Sequence, residues 1–130
     1  MDRTTAQLIA AAGSVCGDFQ LTEDFSAGSV GAAILTAQGS IYTGICICLG
    51  CGLGFCAEAA AVAEMLKHRE THISAVVAVS EDRILPPCGR CREMMAQVDV
   101  RNLDCRVIVG EDHAVSLRAL LPNHWLTQSA

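Results

Sequence analysis

With 130 residues, 52% of them hydrophobic, and no Pro- or Ser-rich linker, the chain can bury one core, and residues 1–130 read as a single domain. A net charge of −5 and a pI near 5.2 exclude a basic nucleic-acid surface and leave small molecules as the expected substrates. No run reaches the roughly 18 to 20 apolar residues of a membrane span, and Met1-Asp2-Arg3-Thr4-Thr5 lacks the basic start and apolar core of a secretory signal, so the cytoplasm is the expected location.

In chain order, Thr5 to about Cys16 sets Leu8, Ile9, Ala12 and Val15 at helical spacing, with Gly17 to end the helix. Val30 to Leu35 and Ile41 to Ile47 flank Gln38-Gly39 and predict a hairpin. The Gly-rich stretch Gly50-Cys51-Gly52-Leu53-Gly54 leads into Ala-rich sequence, which predicts a helix from Cys56 to about Arg69. Ala60, Val62, Ala63 and Leu66 are its candidate packing residues. Ile73 to Val79 is a continuous apolar run of the buried-strand type. Pro86 and Pro87 hold the chain extended before a helix from Cys88 to about Val98. Cys105 to Val109 predicts a further strand and a short helix follows, so the alternation reads as an α/β layered sandwich.

Eight cysteines do not signify a disulfide scaffold here, because such scaffolds have poor hydrophobic cores and a secretion signal. Cys16, Cys46, Cys48, Cys51 and Cys105 read as small buried residues or incidental thiols, and Cys51 can also lie near the site because its loop precedes Cys56. The remaining three stand in Cys56-Ala57-Glu58 and Pro87-Cys88-Gly89-Arg90-Cys91. If Cys88 opens a helix, Cys91 lies one turn on and both sulfurs face one point, with Cys56 at the start of the other helix. Three protein ligands with an open fourth position make a catalytic zinc, whereas four close a structural one. Helix N-termini favour the thiolate form a metal requires. Three thiolates leave a negative site, so a cation is expected, and Arg90 and Arg92 flank Cys91. Glu58 sits too near Cys56 to be a comfortable fourth ligand and is assigned proton transfer.

Blander readings compete with each assignment. Cys88 and Cys91 alone would suit a redox pair, Glu58 alone a solvated helix residue, and Cys51 as a fourth ligand a structural zinc. His124 reads first as a surface residue and second as a ligand or a substrate contact, and His68, His72 and His113 show no ligand spacing. Trp125 can pack the C-terminal tail or stack on a substrate.

The pattern Cys56-Ala57-Glu58 followed by Pro87-Cys88-Gly89-Arg90-Cys91-Arg92-Glu93 resembles the cytidine deaminase superfamily in its small three-cysteine branch. Ser26 with the runs Val30 to Leu35 and Gly39 to Gly44 resembles that family's first hairpin, and Leu120-Leu121-Pro122-Asn123-His124-Trp125 its C-terminal signature. The resemblance implies a three-layer α/β/α sandwich around a mixed five-stranded sheet. It also implies Zn2+ on Cys56, Cys88 and Cys91, Glu58 as the proton shuttle, and Arg90 compensating the thiolates. The Ala57 amide would contact the pyrimidine carbonyl, and Trp125 would pack over substrate, often in a neighbouring subunit of a homotetramer. Ser26, Cys46 and Cys48 are the remaining candidate substrate contacts. Members usually carry Asn-x-Glu for the ribose hydroxyls, where the nearest match here is Cys46-Ile47-Cys48, and thiols are weak hydrogen-bond partners. Arg90, Phe25-Ser26 and Trp125 are similar to blasticidin-S deaminase. The implied reaction is hydrolytic deamination of a cytosine-type nucleoside or analogue to its uracil form. A blasticidin-like antibiotic or another aminated ring is the alternative substrate, and a non-catalytic zinc-binding protein the alternative class.

Overall fold

Strand β2 (Phe25–Thr36) is the spine of the computed structural model, which describes residues 1–126. Its one edge pairs antiparallel with β3 (Ile41–Leu49). Its other edge pairs first with the short β1 (Phe19–Thr22) and then with β4 (Ile73–Ser80). Beyond β4 lie the parallel β6 (Arg106–Gly110) and the antiparallel β7 (His113–Ser116), while β5 (Arg83–Leu85) pairs with the last residues of β4. The central order is therefore β3-β2-β4-β6-β7, the expected five strands, and β1 and β5 raise the total to seven.

Helices cover both faces. On one side α1 (Arg3–Val15), capped by the Asp2 carboxylate accepting from the Thr5 amide at 2.7 Å, packs Leu8 and Ala12 onto Ala33, Ala75, Val77, Val79 and Ile108. On the other side α2 (Ala57–Lys67) and α3 (Gly89–Val98) pack Ala61, Val62, Met65, Met95 and Ala96 onto Ile34, Ile73, Val76 and Val107. From Ala75 on, alternate residues of β4 enter opposite cores, which is why Ala75 to Val79 is apolar throughout rather than alternating, whereas Ser74, in the run read as continuously apolar, is exposed. This is the α/β layered sandwich that the alternation of elements predicted, in the three-layer form that the family resemblance implied. A 3-10 turn (Val100–Asp104) follows α3, and the short α4 (Leu117–Leu120) follows β7.

Gly44 shows how tightly α2 lies on the sheet. A Cβ there would stand 2.6 Å from the Ala57 carbonyl oxygen and 2.7 Å from Ala60 Cβ, so only glycine lets β3 approach the first turn of α2. Three strands carried no sequence signal: β1 is exposed along its whole length, and β5 and β7 have three and four residues. Partner strands hold them extended through backbone hydrogen bonds, which leave no apolar pattern behind. No helix among the described residues is long and apolar enough to cross a membrane.

Candidate active site

Cys56 and Cys88 are the N-caps of α2 and α3, both with extended backbone, and neither uses its side chain to cap. Their sulfurs are free to converge between the helix ends, where Cys91 reaches them from one turn into α3. The Sγ atoms of Cys56, Cys88 and Cys91 all lie within 4.8 Å of one another, with Cys56 and Cys88 3.5 Å apart. Zinc–sulfur bonds of about 2.3 Å in tetrahedral geometry separate sulfurs by about 3.8 Å, so this donor set fits zinc in both spacing and chemistry. Cys51 is exposed and stands outside the cluster, so no four-sulfur site forms among the described residues.

The electrostatics follow from burial and hydrogen bonding. Desolvation raises the Cys56 thiol pKa, as does its contact with Cys88, while the Arg90 guanidinium, donating to Cys56 Sγ at 3.7 Å, opposes the rise. Desolvation also acts upward on Cys88, but hydrogen bonds from the Cys91 amide, the Cys56 and Cys91 side chains and the Arg90 amide together outweigh it and leave the thiol below its ordinary value. Cys91, 1% exposed, is pushed well up by burial and by the neighbouring Glu58 charge. These three thiols need a cation to ionise together, and a metal supplies it. Glu58, 5% exposed in the first turn of α2, has its carboxyl pKa raised by burial, which favours the protonated form.

The cluster lies at one end of a cleft of about 530 Å³. That volume suits a small ligand. Cys56, Ala57, Glu58, Cys88 and Arg90 line the chemical end, and Val30, Ile47, Leu49, Phe55, Leu85 and Pro86 give an apolar wall. Ala57 is the first residue of α2, where helix geometry leaves its amide without an intrahelical partner. Cys46 and Cys48 also line the cleft. Cys46 Sγ, however, already accepts from the Val30 amide at 3.3 Å and contacts the Ser29 hydroxyl at 3.3 Å, whereas Cys48 is exposed.

Ser26 and Trp125 are not among the residues lining the cleft. Ser26 is the register partner of Cys48, and Trp125 is 69% exposed, with its backbone amide donating to Glu93 Oε1 at 2.9 Å. His124 is buried outside the cleft. Cys105 is buried in the core, which pushes its thiol up to about 12 and makes it inert. The sequence reading missed Ser29, which enters the cleft where β2 shifts register against β3 between Ala27 and Gly31. Gly28 and Gly31 flank that shift, and they were its only sequence signal.

Comparison with known proteins agrees with this geometry. Residues 6–107 match the family described as the cytidine and deoxycytidylate deaminase zinc-binding region. A cytidine deaminase of Halalkalibacterium halodurans is 36% identical over 102 residues, covering 75% of this chain and 77% of that protein. A probable cytidine deaminase of Dictyostelium discoideum is 36% identical over 67 residues, 49% of this chain, and the match spans 46% of that protein's length. Among solved structures, a cytidine deaminase from Mycobacterium tuberculosis superposes with a TM-score of 0.78 at 27% identity, covering 95% of this chain and 98% of that one. One from Burkholderia pseudomallei shares the fold with a TM-score of 0.75 at 24% identity, covering 96% and 100%.

Proposed function

Because the chain belongs to the cytidine and deoxycytidylate deaminase zinc-binding family and is a zinc-dependent hydrolytic deaminase, we propose that it converts a cytosine nucleoside to its uracil form and ammonia. Cys56, Cys88 and Cys91 are the proposed zinc ligands. The observation that carries this reading is the convergence of three sulfurs beside the buried carboxyl of Glu58 at the end of a nucleoside-sized cleft.

Bound zinc supplies the Lewis acidity that lets water attack at neutral pH. Glu58 takes the two protons of the attacking water one after the other, passing the first to ring N3 and the second, from the hydroxyl added at C4, to the departing amine, so that ammonia leaves and the C4 carbonyl remains. The Ala57 amide donates to the pyrimidine carbonyl, and Arg90 offsets the thiolate charge. The apolar wall excludes water from the ring.

Apart from the cysteines, the polar side chains lining the cleft among the described residues are Ser29, Glu58 and Arg90, with no amide and no second carboxylate among them for the sugar hydroxyls. A site built to bond a hydroxyl rejects its deoxy analogue by about 10⁴–10⁵. This cleft lacks that basis for rejection, and cytidine and deoxycytidine are expected to differ in kcat/KM by about tenfold or less.

Trp125, exposed on its own chain, covers substrate in a neighbouring copy of a homotetramer, and Ser26 contributes from the rim beside Cys48. Eight free thiols fit the reducing cytoplasm. The relatives matched are described as cytidine deaminases, and a likeness to blasticidin-S deaminase is not shown.

The test is ammonia release by zinc-replete protein with cytidine, deoxycytidine, cytosine and blasticidin S, against Glu58→Gln as the blank. Turnover of either nucleoside supports the proposal. Turnover confined to cytosine or blasticidin S transfers the chemistry to that substrate, and silence on all four rejects the cytosine assignment.

A further inference from the structure

Cys88 is the most exposed of the three proposed ligands, and the segment that delivers it is poorly able to hold itself. Pro86 and Pro87 have no amide hydrogen to donate, and Cys88 makes no side-chain cap bond. The Pro87 carbonyl precedes the helix and lies outside its hydrogen-bond ladder, in which the Arg92 amide donates to the Cys88 carbonyl at 3.0 Å. Arg92 takes up that free acceptor: its Nε donates to the Pro87 carbonyl at 2.7 Å, and its Nη1 donates to the Leu120 carbonyl at 3.0 Å.

The Leu120 carbonyl ends α4, whose last carbonyls have no intrahelical partners. One planar guanidinium therefore joins the metal loop to the C-terminal segment through two charge-assisted bonds. Since the peptide group is planar and includes the following Cα, fixing the Pro87 carbonyl fixes the plane from which Cys88 departs.

We infer that Arg92 is a positioning residue for the metal, clamping the Pro87–Cys88 peptide to the end of α4 so that Cys88 Sγ is held in register with Cys56 and Cys91. The inference rests on the proposed zinc site and acts through Cys88 alone. Glu93, the next residue, provides the control. Its Oε1 accepts from the Trp125 amide at 2.9 Å, so it also ties α3 to the C-terminal segment, but it does not touch Pro87. A general role in fastening the C-terminal segment would make the two residues equivalent.

The experiment measures zinc stoichiometry and zinc Kd by chelator competition for the parent protein, Arg92→Lys and Glu93→Ala, with thermal unfolding recorded alongside. Arg92→Lys keeps the charge but cannot span both carbonyls, and its zinc Kd is expected to rise about ten- to a hundredfold. Glu93→Ala is expected to stay within about twofold of the parent, whatever it does to the unfolding midpoint. If Arg92→Lys does not fold, Arg92→Gln, whose amide can reach the Pro87 carbonyl alone, carries the same expectation. An Arg92 variant within twofold of the parent overturns the inference, as does an equal loss in the Glu93 variant. A parent protein that binds no zinc overturns the metal-site reading itself.

Discussion

Glu58 is exceptional among the acidic side chains because burial, rather than an ion pair, sets its behaviour. Replacing it by Gln keeps the shape and removes the exchangeable proton, so kcat is expected to fall by about 10²–10⁴-fold while zinc remains stoichiometric. Steady-state ammonia release beside metal analysis reads both quantities. Asn102 is as buried as any residue in the protein and has no part in the chemistry. Its Oδ1 accepts from the Ile73 amide at 2.7 Å, and its Nδ2 donates to the Thr71 and Met95 carbonyls at 3.0 and 2.9 Å, joining α3 to the start of β4. Asn102→Ala removes the partner of two buried backbone groups, at roughly 1–3 kcal/mol each, and of the part-buried Thr71 carbonyl. A loss of about 3 kcal/mol or more is expected in urea unfolding. Asp99 sets an acid limit on stability. Hydrogen bonds from Arg101, and a further one from the Thr71 hydroxyl at 2.9 Å, hold its carboxyl well below its ordinary value of 3.8. A carboxyl depressed by folding stabilises above its unfolded pKa and loses that contribution as pH falls. The stability difference between the parent and Asp99→Asn is therefore expected to be constant above about pH 4 and to shrink below it, as denaturant titrations at each pH would show.

Helix ends do the assembling at the scale of elements. Two N-termini meet at the cluster, one on each side, and each presents a cysteine at its cap position. Their separation depends on α2 lying flat on β3, which Gly44 permits. Gly44→Ala is expected to cost about 1–3 kcal/mol through overpacking against the Ala61 amide and the Ala57 carbonyl. Because the strain falls on the first turn of α2, the zinc Kd is expected to rise with it. Urea unfolding with and without chelator separates the two effects. The helices α1, α2 and α3 and the strands β2, β3, β4 and β6 were legible because each buries a face against a layer and carries the matching periodicity. The boundaries of β2 were less so: Val30 was read as its start, but pairing with β1 and β3 extends it back to Phe25 through Ser26-Ala27-Gly28, which has no apolar alternation.

At the scale of the whole molecule, the proposed metal would be linked to folding and the proposed assembly to the exposed apolar surface. A metal that binds the native state alone adds stability by mass action, about 2.7 kcal/mol at a hundredfold excess over Kd. Chelation is therefore expected to lower the unfolding midpoint, and added zinc to restore it. Leu53, Phe55 and Trp125 are exposed at 78%, 40% and 69%, and Phe55 is also a wall of the cleft. Exposed apolar side chains of this kind are what the proposed assembly would cover. The proposed homotetramer predicts a light-scattering mass four times the 13.7 kDa of one chain, and a monomeric mass would reject it.

From the sequence alone came the proposed ligand set, the proposed proton carrier and the layered class, because a Cys-x-Glu and a Cys-x-x-Cys, each at the start of its own helix, constrain chemistry through their spacing. The alternation of apolar periods likewise constrains which faces are buried. Only the tertiary structure decided what those residues meet. It committed the Cys46 sulfur to the Val30 amide, left Cys51 out of the cluster, brought Ser29 into the cleft and bridged Pro87 to Leu120 through Arg92. Such contacts join residues far apart in the chain, through backbone groups that every residue possesses. No residue type announces them, and the way strands and helices close on one another selects them.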